Sequence, residues 1–370
     1  MSRSPVLIFT VLIVGAFLVL ATAVSTPGES PQDYQKRVLL AEQKEEAPPP
    51  EPELTAAQEQ LEAELRTIGE SFAGEVGIAV SEAESLATMS YAGKKPFPQQ
   101  SVSKLWVTLT ALDLVDEGAL ELAEPVTIRR EDLTVFYQPI REIVKARGEF
   151  STDYGELIQR AITQSDNTAN DRLLRRVGGP QAVEAFMRRN QITGVQFGTD
   201  ERTKQSKIAG LEWNQAYSFE NAFYEARDRV PEQDRRRAFE TYLADPMDGA
   251  SARGMSKALA RLARGDLLSE SSTELILSTM EETRSGPRRL KGGVPGGWTF
   301  GHKTGTGQFF DGVQSGYNDV GILTAPDGTH YSLVVLIGQT RVSYAERMAM
   351  MQEVTRAVVR HHEARSLTEA

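Results

Sequence analysis

Hydrophobic residues are arranged very differently in successive parts of this chain. Val6 to Val24 is an uncharged apolar run, whereas residues 25–54 are polar and rich in Pro and Glu. Helical spacing begins at Leu61, Leu65 and Ile68. They share one face of a helix opened by Thr55-Ala56-Ala57-Gln58, in which a Thr cap and a Gln three residues later satisfy each other's amides. Glu75 to Val80 and Ala87 to Tyr91 then read as two strands joined by a polar turn. Leu105, Leu109, Leu112 and Val115 return to helical spacing, with Gly118 as the stop. Thr152 or Asp153 can cap a helix running to about Thr163. The pattern breaks at Ser165-Asp166-Asn167 and resumes through Leu173 and Leu174 to Gly178-Gly179. Near the end, Trp298 to Thr306 reads as a strand. Tyr317 to Ala325 and His330 to Ile337 form a hairpin across Pro326-Asp327-Gly328, and Ser343-Tyr344-Ala345-Glu346 caps a helix carrying Met348, Met351, Val354 and Val358.

Strands at both ends with helices between them predict an α+β fold: one antiparallel sheet built from both termini and flanked by helices, with an all-helical lobe inserted at about residues 105–280. The folded domain is expected over 55–365. A disordered linker is expected over 25–54, because that composition cannot bury enough apolar surface to fold. Residues 1–24 resemble a secretory signal, with Arg3 before the apolar run and Ala21-Thr22-Ala23 in the small-x-small pattern of a cleavage site. The run is long for a signal, so an uncleaved anchor over residues 6–24 is the alternative. Either way the chain is expected in the periplasm, meeting the membrane only through that segment.

Composition narrows the chemistry. The 370 residues are 40% hydrophobic, enough for a large core, and the net charge of −10 argues against a nucleic-acid surface. With no cysteine, disulfides, thiolate metal sites and Cys nucleophiles are excluded. Four histidines, two of them the adjacent His361 and His362 at a helix end, offer no metal pattern, so neither metal nor cofactor is expected.

Three short strings remain: Ser101-Val102-Ser103-Lys104, Ser165-Asp166-Asn167 and Lys303-Thr304-Gly305. A serine hydroxyl needs a base before it can attack, and three residues is about one helical turn, which sets Lys104 beside Ser101. Burial depresses a lysine's pKa and makes it a proton acceptor. A helix start also favours developing negative charge, so the Ser101 and Thr306 amides can share an oxyanion. Ser165 can pass a proton to a leaving amine, the Asn167 amide can hold a backbone carbonyl and the lysine, and Asp166 can tie the loop together. Lys303 and Thr304 suit a substrate carboxylate. Each string alone also reads as a helix cap, a turn or a strand end. Their joint occurrence, each in a fitting structural setting, argues for a serine nucleophile with its proton relay.

The chain resembles class A β-lactamases from roughly Thr55 to His362. The likeness rests on Phe97-Pro98-Gln99-Gln100-Ser101, Ala161 through Asn170, Val177-Gly178-Gly179-Pro180 and His302-Lys303-Thr304-Gly305-Thr306-Gly307. The resemblance implies a periplasmic, monomeric serine hydrolase with its site between a sheet lobe and a helical lobe. Ser101, Lys104 and Ser165 would be catalytic, and Asn167, Lys303, Thr304, Gly305 and Thr306 would bind substrate. It also implies a glutamate that activates the deacylating water. Family spacing lands on Glu201, with Gln205 where an Asn is usual, and Glu212 and Glu240 compete. A further departure is Asn318 in place of an arginine that often assists carboxylate binding. The implied activity is β-lactam hydrolysis through a Ser101 acyl-enzyme. The alternative is a D-Ala-D-Ala carboxypeptidase acting on peptidoglycan stem peptides with slow deacylation. A third reading is a non-catalytic periplasmic protein on the same fold. Residues 211–245 exceed the family's usual interval and are expected to add helices beside the site.

Overall fold

The computed structural model describes residues 52–369, so the expected signal or anchor and nearly all of the linker lie outside the described residues. In chain order the strands are β1 Gly74–Glu82, β2 Thr88–Tyr91, β3 Pro96–Pro98, β4 Pro125–Ile128, β5 Phe150–Asp153, β6 Gly249–Ser251, β7 Thr299–Thr306, β8 Phe309–Phe310, β9 Val313–Ser315, β10 Tyr317–Thr324 and β11 His330–Thr340. The main sheet runs β2-β1-β11-β10-β7, its neighbours antiparallel, and so joins the beginning of the domain to its end. The β8–β9 hairpin pairs with the far end of β11.

Central strand β11 is apolar almost without interruption because both of its faces are covered. Alternate residues go to opposite sides. Ile78, Val80, Leu333, Val335 and Ile337 pack under the Ala56–Ser71 and Tyr344–Glu369 helices, with Leu61, Leu65, Met351, Val354 and Val358. Ala79, Val334 and Leu336 pack instead against the helical elements between Lys104 and Glu281. The Thr55–Gln58 capping box forms as expected, with both reciprocal hydrogen bonds present.

The Lys104–Asp116 helix is buried more completely than its predicted stripe requires. Every residue from Lys104 to Leu112 is buried, because further helices pack around it inside the lobe. Residues 211–245 do add helices, at Ala222–Arg229 and Glu232–Ala244. Trp213, Tyr217 and Phe223 pack edge-on into a small aromatic cluster that includes Phe136, and Phe239 meets Phe310 of β8 at 5.6 Å.

Candidate functional site

Ser101 lies in a 3₁₀ turn, Gln100–Ser103, that runs directly into the Lys104–Asp116 helix, one turn ahead of the α-helix proper. The preceding residue, Gln100, takes a left-handed conformation (φ 54°), a costly state for a side-chain-bearing residue unless its surroundings impose it. They do. Its amide donates to Asp248 Oδ2 at 2.9 Å, and its side-chain nitrogen donates to the Tyr242 hydroxyl at 2.7 Å and the Ser315 carbonyl at 3.2 Å. Lys104 Nζ is completely buried and lies 2.7 Å from Ser101 Oγ. Burial, with the Lys204 charge adding to it, holds the Lys104 ammonium below its ordinary pKa against the opposing pull of Glu201 and Asp171. An amine so placed can exchange a proton with the serine.

The second string sits where one helix ends and another begins. Asp153 caps a helix from Tyr154 that widens into a π turn at Arg160–Gln164. Ser165 then turns left-handed (φ 59°), and Asp166 caps the Asn167–Val177 helix. Asp166 ties the loop together as expected: it accepts the amides of Thr168 and Ala169 on one oxygen and that of Ile140 on the other. The Asn167 amide nitrogen donates to the Val135 carbonyl at 2.9 Å. Ser165 Oγ accepts from Lys303 Nζ at 2.9 Å, which brings the second and third strings into contact across 138 residues.

Lys303 is fully buried on β7, and burial, reinforced by the Lys104 and Arg289 charges, pushes its pKa well below the usual lysine value. Thr304 Oγ1 is 2.6 Å from Ser285 Oγ. Gly305 has a steric cause: a Cβ there would come within 2.4 Å of the Gln99 carbonyl, so β7 could not pass the Ser101 turn so closely with any larger residue.

Sequence reasoning missed Arg289. It sits in the loop before β7, its Nη2 donating to Thr306 Oγ1 at 2.6 Å and its Nη1 to the carbonyls of Gly305 (3.0 Å) and Asn318 (2.6 Å). The guanidinium also lies 3.8 Å from the centre of the Tyr317 ring. A loop arginine carries no periodic signal; only the pair Arg288-Arg289 after Gly286-Pro287 marks the place. Asn318, by contrast, turns inward. Its amide nitrogen donates to the carbonyls of Pro98 and Gln99, and its oxygen accepts the Ile337 amide, so it braces the backbone leading to Ser101.

Glu201 opens the Glu201–Ile208 helix, capped by Asp200. Its Oε1 lies 3.4 Å from Lys104 Nζ and 3.0 Å from Lys204 Nζ, while Oε2 accepts from Gln205 Nε2 at 3.1 Å. Burial would raise its pKa, but the two ammonium groups and the hydrogen bonds win and hold it below the usual carboxylate range. The competitors Glu212 and Glu240 are solvent-exposed. Gln205 presents its nitrogen to Glu201 and its oxygen to Gln308 Nε2 at 3.0 Å. Asp171 accepts the Glu201 amide and is pushed up to about 7 by burial and by the charges of Asp200 and Glu201. Among the described residues, no group of three or more His, Cys, Asp or Glu could hold a metal ion.

One cluster thus gathers a serine touching a buried amine, a second serine touching a second buried amine, a guanidinium and a buried carboxylate. That set can form an ester on Ser101, protonate a departing nitrogen and activate a water. The model of the beta-lactamase enzyme family matches residues 60–362. The extended-spectrum beta-lactamase PER-1 of Pseudomonas aeruginosa is 30% identical over 75% of this chain and 80% of its own length. Beta-lactamase VEB-1 of the same organism is 25% identical over 72% and 78%. Among solved structures, a beta-lactamase from Chitinophaga pinensis superposes with a TM-score of 0.66 at 28% identity, covering 81% of this chain and 98% of that one. An ancestral class A beta-lactamase gives 0.61 at 28% identity, over 81% and 99%.

Proposed function

Because this chain belongs to the β-lactamase enzyme family and is a class A-like serine β-lactamase, we propose that it opens the β-lactam ring through an acyl-enzyme on Ser101. The observation that carries this is the 2.7 Å contact between Ser101 Oγ and a buried Lys104 whose other neighbour is Glu201. Lys303, Thr304 and Arg289 take the substrate carboxylate, and Asn167 and Gly305 shape the cleft around it. Lys104 in its neutral form takes the Ser101 proton as Oγ bonds to the lactam carbonyl carbon. The amides of Ser101 and Thr306 hold the oxyanion. The carbon–nitrogen bond then breaks, and Ser165, held by its hydrogen bond from Lys303, delivers a proton to the departing nitrogen and takes in its place the one that Lys104 accepted from Ser101. Glu201 next removes a proton from a water that attacks the ester and returns that proton to Ser101 as the ester bond breaks.

All of these groups come from one polypeptide, so a monomer suffices. Residues 1–24 support export to the periplasm with cleavage near Val24, which terminal sequencing of the exported protein checks; recovery from the cytosol with Met1 retained refutes it. The test of the activity is incubation with a chromogenic cephalosporin, following turnover and protein mass together. Steady turnover with a transient adduct on Ser101 supports β-lactam hydrolysis. A protein that stays acylated for hours behaves instead as a penicillin target of the carboxypeptidase type.

A further inference from the structure

A second buried ammonium stands behind Glu201. Lys204 follows it by three residues, one helical turn, and is 1% exposed. Its Nζ lies 3.0 Å from Glu201 Oε1 and 3.3 Å from Asp248 Oδ2, and donates towards the Gln100 carbonyl at 3.3 Å and Ser103 Oγ at 3.4 Å. Asp248, itself fully buried, accepts the Gln100 amide and the Tyr242 hydroxyl, which fixes it just ahead of β6. Lys204 therefore touches the Glu201 carboxylate on one side and the Ser101 turn on the other.

Two ammonium groups converge on the single oxygen Oε1. Lys204 has the shorter contact and a second carboxylate of its own, so it remains charged. Lys104, 3.4 Å away on the same oxygen and completely buried, meets a carboxylate already neutralised. We propose that Lys204, gripped by Asp248, is a positioning residue that serves as the permanent counter-ion of Glu201 and so frees Lys104 to release its proton and take that of Ser101. This rests on the reading of Glu201 as the deacylation base and Lys104 as the acylation base. Glu201 is faced by Lys104 from the Lys104–Asp116 helix, by Asp171 from the Asn167–Val177 helix, by Lys204 with Asp200 and Arg202 from its own segment, and more remotely by Lys303 of β7. Asp248 and Tyr242 complete the shell behind Lys204. Of these, only Lys204 bridges Glu201 to a second buried carboxylate.

The signs follow from charge. Without the Lys204 cation, Glu201 binds a proton more readily, and Lys104, relieved of a like charge, keeps its proton to higher pH. Both changes move the acidic limb of the reaction upwards. Removing the Asp248 charge leaves Lys204 less compensated and moves the limb downwards.

The experiment measures pH profiles of acylation (pre-steady-state burst with a chromogenic cephalosporin) and of deacylation (loss of the adduct by mass). Wild type, Lys204→Met, Lys204→Arg, Asp248→Asn and Glu201→Gln are compared. The expected result is an acidic limb raised by at least about one pH unit in Lys204→Met, partly restored in Lys204→Arg and lowered in Asp248→Asn. A uniform loss of rate in Lys204→Met with the limb unmoved would reduce Lys204 to a packing role and overturn the proposal. So would limbs moving the same way in Lys204→Met and Asp248→Asn. If Lys204→Met does not fold, the sign of the Asp248→Asn shift decides. Glu201→Gln separates the underlying reading: a trapped adduct upholds Glu201 as the base. Normal deacylation in that variant removes Glu201 from the role, while the acylation limb of Lys204→Met still reports on Lys104.

Discussion

Glu201 Oε1 lies 3.4 Å from Lys104 Nζ, although the two residues are 97 positions apart and on different helices. The contact joins the group that touches Ser101 to the group that would hydrolyse the Ser101 ester. With the roles proposed for Lys104 and Glu201, acylation and deacylation would be electrostatically linked through one buried amine, and a change at either residue would reach both steps.

Ser101→Ala should abolish turnover and covalent labelling by penicillins together, leaving stability within about 1 kcal/mol, since the side chain lost is small and only partly buried. Lys104→Met keeps the volume of a fully buried side chain and should slow acylation by about 10³-fold or more, because nucleophile and base act as a unit. Peptide mapping checks the assignment: an adduct on Ser103 or Ser165 would refute it.

Glu201→Gln should still acylate but deacylate about 10²–10⁴-fold more slowly, the usual contribution of a general base. Mass spectrometry at timed intervals would show the adduct persisting on Ser101. Gln205 cannot simply replace the Asn usual in the family. Its nitrogen faces Glu201 and its oxygen accepts from Gln308, so Gln205→Asn should lose the Gln308 bond and alter deacylation more than acylation.

The sheet, the capped terminal helices and the three motif strings were legible in the sequence because each rests on local signals: period-two alternation, capping boxes and short spacings. The contacts of Ser101 with Lys104 and of Ser165 with Lys303 join residues that those strings had already singled out. Arg289 and Lys204 were not. Arg289 reaches Thr306, and Lys204 reaches Asp248 and the Gln100 carbonyl, all 17 or more residues away, and a charged residue in a loop or on a short helix reads as solvated until the fold buries it. Asn318, which stands where the resemblance places an arginine that often assists carboxylate binding, has its amide consumed bracing the strand before Ser101.

Arg289→Gln should raise KM for β-lactams bearing a free carboxylate by about 10–100-fold, the range expected for losing a hydrogen bond to a charged group. Substrates whose carboxylate is esterified should be affected much less. The comparison is needed because Arg289 also supports the carbonyls of Gly305 and Asn318. An equal loss for both substrate types would mean that it only supports β7.

Acid stability should depend on Glu82, at the end of β1. Burial alone would raise its pKa, but hydrogen bonds from His361, Gln58 and Ser85 and the charge of Arg365 hold it at about 2. A carboxyl depressed in the folded state stabilises it fully above the unfolded value near 4.5, and the benefit fades as pH falls from there towards 2. Glu82→Gln should therefore cost up to about 3 kcal/mol at pH 7. Denaturant unfolding at pH 7 and pH 3 checks this: the gap between variant and wild type should narrow in acid.

Tyr242, on the second helix of the 211–245 segment, should matter more to catalysis than its distance in sequence from Ser101 suggests. Its hydroxyl accepts from Gln100 Nε2 at 2.7 Å and donates to Asp248 Oδ1 at 2.8 Å. Gln100 is the residue held left-handed just before Ser101, and Asp248 is the carboxylate gripping Lys204. Tyr242→Phe removes one oxygen from a buried network and leaves two polar groups short of a partner, at a cost of about 1–3 kcal/mol. If the segment only decorated the surface, that cost would appear in the melting temperature and kcat/KM would be unchanged. If it holds the Ser101 turn in place, the acylation rate should fall by about tenfold or more in protein that is still fully folded, and a pre-steady-state burst measured well below the melting temperature separates the two.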